Sequence, residues 1–72
     1  MNPESKTEAQ RLAATAHRQL SELDQDIDMR LRSAQVGRDE RRTAELEAIQ
    51  TSVRRVRTLV EELGRALGKG AR

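Results

Sequence analysis

The amino-acid sequence predicts an all-α fold in which two long helices pack antiparallel as a coiled-coil hairpin, and two such hairpins combine into a four-helix bundle. Three observations support this fold. Two long stretches contain neither Gly nor Pro, a short segment around Gly37 separates them, and apolar residues recur every three or four positions in both. With 72 residues, the chain is long enough for one domain, and a single hairpin over residues 1–72 is expected.

Helix one is predicted to cover residues from about 3 to 35. Pro3 is favourable at the first helical position, and Asn2 before it can act as the N-cap. Ser5 and Glu8 provide a second start signal, because their spacing matches a capping box in which each side chain satisfies a free backbone N–H. No helix breaker follows until the turn, so one uninterrupted helix is expected.

The turn is predicted at about residues 36–39, and helix two at about residues 40–67. Gly37 is expected to adopt the left-handed conformation that ends many helices, and Asp39 is expected to cap the helix that follows. Further glycines near the C-terminus predict a frayed tail over about residues 68–72.

The apolar residues of both segments form a predicted seam between the helices. Their spacing alternates between three and four residues, which is the heptad repeat of a coiled coil. The seam consists of Ala9, Ala13, Ala16, Leu20, Leu23 and Ile27 in helix one, and of Leu46, Ile49, Val53, Val56, Val60, Leu63 and Leu67 in helix two.

The two helices are predicted to pair about a midpoint at Arg38. The resulting layers join Ile27 with Ile49, Leu23 with Val53, Leu20 with Val56, Ala16 with Val60, Ala13 with Leu63 and Ala9 with Leu67. Every layer is apolar, and toward the open end of the hairpin a small residue meets a larger one. The repeats of the two segments are out of phase, so a hairpin explains them more simply than one continuous coiled coil.

The core of such a hairpin is thin, which favours association with another chain. Hydrophobic residues make up only 35% of the sequence, and there is no Phe, Trp or Tyr, so the hairpin buries little surface alone. Apolar side chains outside the seam are candidates for a self-association or partner face. They are Leu12, Met29, Leu31, Leu59 and Ala66. We therefore expect a homodimer and, in addition, an unidentified protein partner.

Candidate metal-binding and catalytic residues do not form a site in the sequence. Asp24, Asp26 and Asp28 match the first ligand positions of an EF-hand calcium loop, but Met29 stands where that loop requires Gly. His17 is the single histidine and there is no Cys, so no zinc site is expected. We expect no cofactor and no enzymatic activity, because two helices of this length provide no pocket.

Arginine-rich segments support an alternative function, the binding of RNA or DNA. The candidate contacts are Arg38, Arg41, Arg42, Arg54, Arg55 and Arg57. These side chains can contact phosphates along a nucleic-acid backbone. However, the net charge is only +2 and no aromatic residue is present to stack on bases. The nucleic-acid hypothesis therefore ranks below protein binding.

The sequence thus favours a small non-enzymatic protein–protein interaction module, an adaptor, co-chaperone or inhibitor that binds through helical faces. A third hypothesis is a structural subunit of a larger helical assembly. The polar N-terminus does not resemble a signal peptide and the apolar runs are short, so we expect a cytoplasmic protein without a membrane segment. In shape, the predicted fold resembles small hairpin proteins that dimerise into four-helix bundles, such as plasmid copy-number RNA binders, secretion co-chaperones and phage-encoded inhibitors. Shape alone does not assign a function.

Overall fold

In the computed structural model, the chain forms two α-helices joined by a short turn. The structure describes residues 3–69, with side chains described for residues 6–69. Helix α1 is Pro3–Val36 and helix α2 is Glu40–Lys69. The two helices pack against each other along their length, which confirms the predicted all-α hairpin. Neither helix, over the described residues, is long and apolar enough to cross a membrane.

Helix α1 begins at Pro3, the residue that the sequence places at the first helical position. Asn2, the predicted N-cap, lies outside the described residues. Because α1 already includes Ser5, the capping box of Ser5 and Glu8 does not mark the start of the helix.

The hairpin is an elongated rod with little interior. Its Cα atoms extend over 53 × 14 × 12 Å, and its radius of gyration is 16.3 Å, against about 11 Å for a compact domain of this length. The buried apolar residues are Ala13, Ile27, Ala34, Leu46 and Val53. Leu20 and Leu31 pack against this core and are partly buried. No described side chain is completely buried, so the single hairpin has a thin core.

The turn closes α1 with two backbone hydrogen bonds that together form a Schellman motif. The Asp39 N–H donates to the Ala34 carbonyl at 3.0 Å, and the Arg38 N–H donates to the Gln35 carbonyl at 3.1 Å. One residue of this motif adopts a left-handed backbone, and here it is Arg38, with a φ of 56°. The prediction that Gly37 takes this conformation is wrong, because Gly37 still donates a helical hydrogen bond to α1 and its φ is not positive.

Asp39 caps α2, as predicted, and so serves both helices. Its Oδ1 accepts a hydrogen bond from the Arg42 N–H at 3.0 Å, which is the contact that characterises an N-cap. Its carbonyl accepts the first hydrogen bond of α2, from the Thr43 N–H at 3.0 Å. Since the same residue also completes the Schellman motif of α1, no linker separates the ends of the two helices.

The side chains that face the opposite helix form a contact line in each helix. They are buried or half-buried and step by three and four positions, as in a coiled coil. In α1 the contact line is Gln10, Ala13, His17, Leu20, Asp24, Ile27, Leu31 and Ala34; in α2 it is Thr43, Leu46, Gln50, Val53, Arg57, Val60, Gly64 and Leu67. Apolar residues hold every second position, and polar residues or glycine hold most of the others.

The contact line differs from the predicted seam at alternate positions. Leu23, Ile49, Val56 and Leu63 were assigned to the seam, but they are between 44% and 53% exposed. The residues that follow them in the chain face the other helix instead, and these are Asp24, Gln50, Arg57 and Gly64. In the same way, Gln10 and His17 take the places predicted for Ala9 and Ala16. Each helix is therefore rotated by about 50° relative to the prediction.

A physical reason for this rotation lies in the polar residues that it brings together between the helices. The periodicity alone does not distinguish the two rotations, because both use the same apolar residues at every second position. Along the rod, the pairing agrees with the prediction to within one position in each helix. Asp28 contacts Gln50, whereas the predicted layer joins the preceding residues, Ile27 and Ile49. Likewise His17 contacts Glu61, whereas the predicted layer joins Ala16 and Val60.

Helix α2 is longer at its C-terminus than predicted. It continues to Lys69 and includes Gly64 and Gly68, whereas the sequence predicts a frayed tail over residues 68–72. A Cβ atom at either glycine would meet no other atom within 4 Å, so no close contact requires glycine at these positions. The rest of the predicted tail, residues 70–72, lies outside the described residues.

Candidate interaction surface

One side of the contact line carries polar contacts between the helices, and we call this side the polar flank. The Asp24 carboxylate, only 14% exposed, accepts a hydrogen bond from Arg54 Nε at 3.2 Å and a second from Arg57 Nη1 at 3.2 Å. Arg54 and Arg57 lie one helical turn apart on α2, so both reach the same carboxylate. These three residues form the Asp24 clamp, in which partial burial makes the attraction stronger than at a fully exposed site.

Two further contacts extend the polar flank along the rod. Toward the turn, Gln50 is buried and its Nε2 donates to Asp28 Oδ1 at 3.2 Å. Toward the open end, the end of the rod opposite the turn, His17 Nε2 lies 2.8 Å from Glu61 Oε1 and donates to it when its proton is on Nε2. No buried side-chain nitrogen or oxygen in the described part of the chain lacks a hydrogen-bond partner. The buried polar atoms of the contact line therefore all have hydrogen-bond partners.

The contact with His17 lowers the pKa of Glu61. The hydrogen bond from His17 is the main cause, and the positive charges of His17, Arg57 and Arg65 act in the same direction, while desolvation opposes them. The charged form of Glu61 is therefore stabilised in the folded hairpin. Because the two residues lie on different helices, this stabilisation depends on the pairing of α1 with α2.

Three aspartates with the spacing of a calcium loop point to different partners. Asp24 belongs to the Asp24 clamp, Asp26 accepts a hydrogen bond from Arg30 Nε at 3.2 Å, and Asp28 accepts one from Arg32 Nη2 at 3.3 Å. On a helix, alternate residues project in different directions, so the carboxylates do not surround a common point. Among the described residues, no group of three or more His, Cys, Asp or Glu side chains is placed to hold a metal ion.

The opposite side of the contact line is apolar and exposed. The polar flank is formed mainly by contact-line residues and by the residues that directly follow them in the chain. In each helix, the residues that directly precede contact-line positions therefore lie on the other side of the hairpin. This side, which we call the apolar face, consists of Ala9, Leu12, Ala16 and Leu23 in α1 and of Ile49, Val56, Leu59, Leu63 and Ala66 in α2. Its large side chains are all substantially exposed. An exposed apolar surface of this extent indicates a binding surface.

The structure separates the residues that the sequence groups as a partner face. Leu12, Leu59 and Ala66 are exposed and lie on the apolar face. Leu31 instead lies in the contact line, where it packs against the core. Met29 is 70% exposed but lies on the outer side of α1, away from the apolar face.

Sequence reasoning did not assign four of the six large side chains of the apolar face to a binding surface. Leu23, Ile49, Val56 and Leu63 were taken as the interior of the hairpin, whereas they are exposed beside it. The width of the apolar stripe in α2 is the signal that could have identified them. A helix that packs against a single neighbour needs a narrow apolar seam, whereas a helix of a four-helix bundle needs a wider one.

Three of the six arginines proposed as nucleic-acid contacts are engaged within the hairpin. Arg54 and Arg57 bind Asp24, and Arg41 Nε lies 3.4 Å from Glu45 Oε1. The two arginines of the Asp24 clamp hold the helices together, so they are not free to bind a phosphate without loss of that contact.

The other three arginines do not form a continuous patch. The side chains of Arg38, Arg42 and Arg55 make no ion pair with any described residue. Arg38 and Arg42 lie at the turn, but Arg55 lies about 20 Å further along α2. A nucleic-acid backbone would therefore meet separated charges instead of a basic stripe.

No protein-family model, curated protein or solved structure matches this chain significantly.

Proposed function

We propose that this chain is a small non-enzymatic protein–protein interaction module that associates helix to helix, and that its first binding partner is a second copy of itself. The product is a homodimeric four-helix bundle in which two apolar faces meet. The observation that carries this proposal is the apolar face, whose large aliphatic side chains are exposed on the single hairpin.

The apolar face is large enough for a specific interface. Its large side chains, which are between 44% and 61% exposed, are Leu12, Leu23, Ile49, Val56, Leu59 and Leu63. With about 200 Å² for a fully exposed aliphatic residue of this size, they expose about 600 Å² per chain and about 1,200 Å² per pair, which is where the range of specific interfaces begins. A second copy is favoured as the occupant, because it presents a face of the same extent and composition.

Dimerisation also supplies the interior that the single hairpin lacks. The rod is only 14 × 12 Å in cross-section, measured over its Cα atoms, so its core residues have neighbours on few sides. A second hairpin would bury the apolar face itself, whose large side chains are between 44% and 61% exposed. Burial of this additional apolar surface stabilises the fold, because the hydrophobic contribution grows with the area removed from water.

A further protein partner would dock on the outside of the assembled bundle. In this proposal the apolar face is occupied by the second copy, so an adaptor, co-chaperone or inhibitor activity uses the outer sides of the helices. Met29 on α1 is an exposed apolar anchor on such an outer side. If the chain is instead a structural subunit, a different chain covers the apolar face.

Sedimentation equilibrium combined with circular dichroism tests the proposal. We expect a helical species with twice the 8.1 kDa mass of one chain. Leu12→Asp and Leu59→Asp should each weaken the dimer by at least about 100-fold, because each dimer buries the altered position twice at about 1.5–3 kcal/mol per leucine. Met29→Asp is the matched control: it introduces the same charge at an exposed apolar position of α1 outside the apolar face, and the dimer should persist.

Three results would count against this proposal. A monomer at all concentrations, whether helical or unfolded, contradicts self-association. Equal weakening by Met29→Asp and Leu12→Asp would mean that the interface lies elsewhere. Binding to RNA or duplex DNA that falls steeply with salt concentration would favour the nucleic-acid hypothesis instead.

A further inference from the structure

The apolar face covers only the part of the rod that lies away from the turn. With a rise of about 1.5 Å per residue, it extends from about 16 Å beyond the turn at Ile49 to about 43 Å at Ala9 and Ala66. The same side of the rod nearer the turn carries charged residues, including Arg30 and Glu45. Two copies that pair through this side superimpose their apolar sections, and the charged section of each copy then lies at the end of the interface nearer its own turn.

The two helices contribute side chains of different size to the apolar face. Helix α1 contributes Ala9 and Ala16 beside its leucines, whereas α2 contributes Val56, Leu59 and Leu63 within two turns. A twofold axis in the plane of the interface can pair the hairpins in two ways. With both turns at the same end, α1 of each copy packs on α2 of the other. With the turns at opposite ends, α1 packs on α1 and α2 packs on α2.

We infer that the two copies pack with both turns at the same end, so that α1 of one copy lies on α2 of the other; this inference rests on the self-association proposed above. In this arrangement the small residues of α1 meet the large residues of α2. Ala16 of one copy and Leu59 of the other lie at about the same level, about 32 Å from the turn. Pairing small with large residues fills an interface to the density of a protein interior. The opposite arrangement sets the two alanine-bearing helices against each other.

Charge complementarity near the turn favours the same arrangement. Arg30 lies one heptad beyond Leu23 in the same column of α1, and Glu45 lies two heptads before Leu59 in α2. They lie at about 12 Å and about 10 Å from the turn, so with the turns at one end Arg30 of each copy meets Glu45 of the other. With the turns at opposite ends and the apolar faces superimposed, Arg30 of one copy and Glu45 of the other instead lie about 35 Å apart along the interface, so this pair cannot form.

Distances between spin labels distinguish the two arrangements. The chain has no cysteine, so a single introduced cysteine carries the label. Arg41→Cys reports on the turn, where the native side chain is 92% exposed. Two such labels should lie within about 35 Å if the turns share an end, and about 50 Å or more apart if they do not. Arg11→Cys, at a position where the native side chain is 73% exposed, is the control, because it gives a short distance in either arrangement.

The three outcomes of this experiment have separate meanings. Short distances at both positions support the inference. A short distance at Arg11→Cys with a long one at Arg41→Cys overturns the same-end arrangement but leaves self-association intact. The absence of any distance between labels at either position, with the chain helical, overturns both the inference and the proposed self-association.

Mixing two charge-reversed variants provides a second test. In the same-end arrangement, Arg30→Glu places two like-charged pairs in its own homodimer, and Glu45→Arg does the same. A heterodimer of the two variants restores an opposite-charge pair at both places. After mixing at physiological salt, we expect the heterodimer to be favoured about tenfold over its statistical share, as measured by native mass spectrometry. Statistical mixing would contradict the contact between Arg30 and Glu45.

Discussion

At Arg38, a side chain with a Cβ atom occupies a backbone conformation that favours glycine. The left-handed conformation costs about 1–2 kcal/mol for such a residue, and Arg38 adopts it because the Schellman motif requires it at that position. Gly37 lies one residue before the position where glycine would relieve this strain. The turn therefore forms from hydrogen bonds and from the Asp39 cap, against the local preference of Arg38.

Arg38→Gly should increase the free energy of unfolding by about 1 kcal/mol, because glycine adopts the left-handed conformation without strain. Gly37→Ala is the control. A Cβ atom at Gly37 would lie 3.4 Å from the Ser33 carbonyl oxygen and 3.8 Å from that of Ala34, so alanine should be tolerated. Urea denaturation of both variants measures the effects. A large loss for Gly37→Ala with no gain for Arg38→Gly would reverse the assignment of the two residues.

Glu61→Gln should destabilise the protein in a pH-dependent way. The pKa of Glu61 is lowered in the folded state from its ordinary value of 4.5, so its contribution to stability is complete above that value and is lost as the pH falls through the lowered pKa. The difference in free energy of unfolding between the native chain and the variant should therefore be largest above pH 4.5. Thermal denaturation across pH measures it.

Glu62→Gln is the matched control for Glu61→Gln. Glu62 is exposed and makes no ion pair with any described residue. Its replacement should therefore cause no comparable loss in the free energy of unfolding above pH 4.5. If the two variants respond alike to pH, the contact between His17 and Glu61 does not contribute to stability.

Among the elements, α1 and α2 pair through polar contacts as well as apolar ones. Polar residues at alternate contact-line positions find partners across the interface, as in the Asp24 clamp and the contact between Gln50 and Asp28. These contacts belong to the observed rotation and register, because the predicted rotation would turn Asp24 and Gln50 outward and away from their partners. In the observed rotation both side chains lie between the helices, so both need a partner there. Buried polar groups without partners are strongly unfavourable.

Asp24→Ala should reduce the free energy of unfolding by about 1.5–3 kcal/mol, because it leaves two arginines without their shared carboxylate. Asp26→Ala is the matched control, since Asp26 also pairs with an arginine but on the exposed surface of one helix. Its replacement should cost only a few tenths of a kcal/mol. Chemical denaturation of both variants measures the difference. Similar losses would show that the Asp24 clamp is no stronger than a surface ion pair.

The sequence was sufficient to predict the helices and their pairing, but not their rotation. The lack of helix breakers and the Asp39 cap locate both helices, and the apolar repeat requires that they pack together. The repeat fits two rotations equally well, because residues such as Ile27 and Val53 face the other helix in both. Only the partners of Asp24 and Gln50 decide between them, and these partners are distant in the chain. The candidate surface was therefore only partly predictable.

At the scale of the whole molecule, the rod has more apolar surface than a single hairpin can bury. Its polar flank is satisfied by contacts within the chain, whereas its apolar face has no counterpart among the described residues. This asymmetry makes the two long sides of the rod chemically different. In the proposed dimer, the apolar sides are joined and the polar flanks remain outside.

If the fold is coupled to dimerisation, the melting temperature should rise with protein concentration. Mass action stabilises the folded dimer by about 1.4 kcal/mol for each tenfold increase in concentration. Circular dichroism from micromolar to near-millimolar chain measures this dependence, and Leu12→Asp should reduce it or abolish it. A melting temperature that does not change over this range would mean that the hairpin folds alone.

The shared role of Asp39 has a consequence for how the hairpin opens. The last turn of α1 and the first turn of α2 are tied through one residue, so neither helix end can fray at the turn without disturbing the other. At the open end no such tie is present between the described ends of the helices, at Pro3 and Lys69. Separation of the two helices should therefore begin at the open end and proceed toward the turn. Folding should run the other way, since the contacts beside the turn close the shortest loops and lose the least chain entropy.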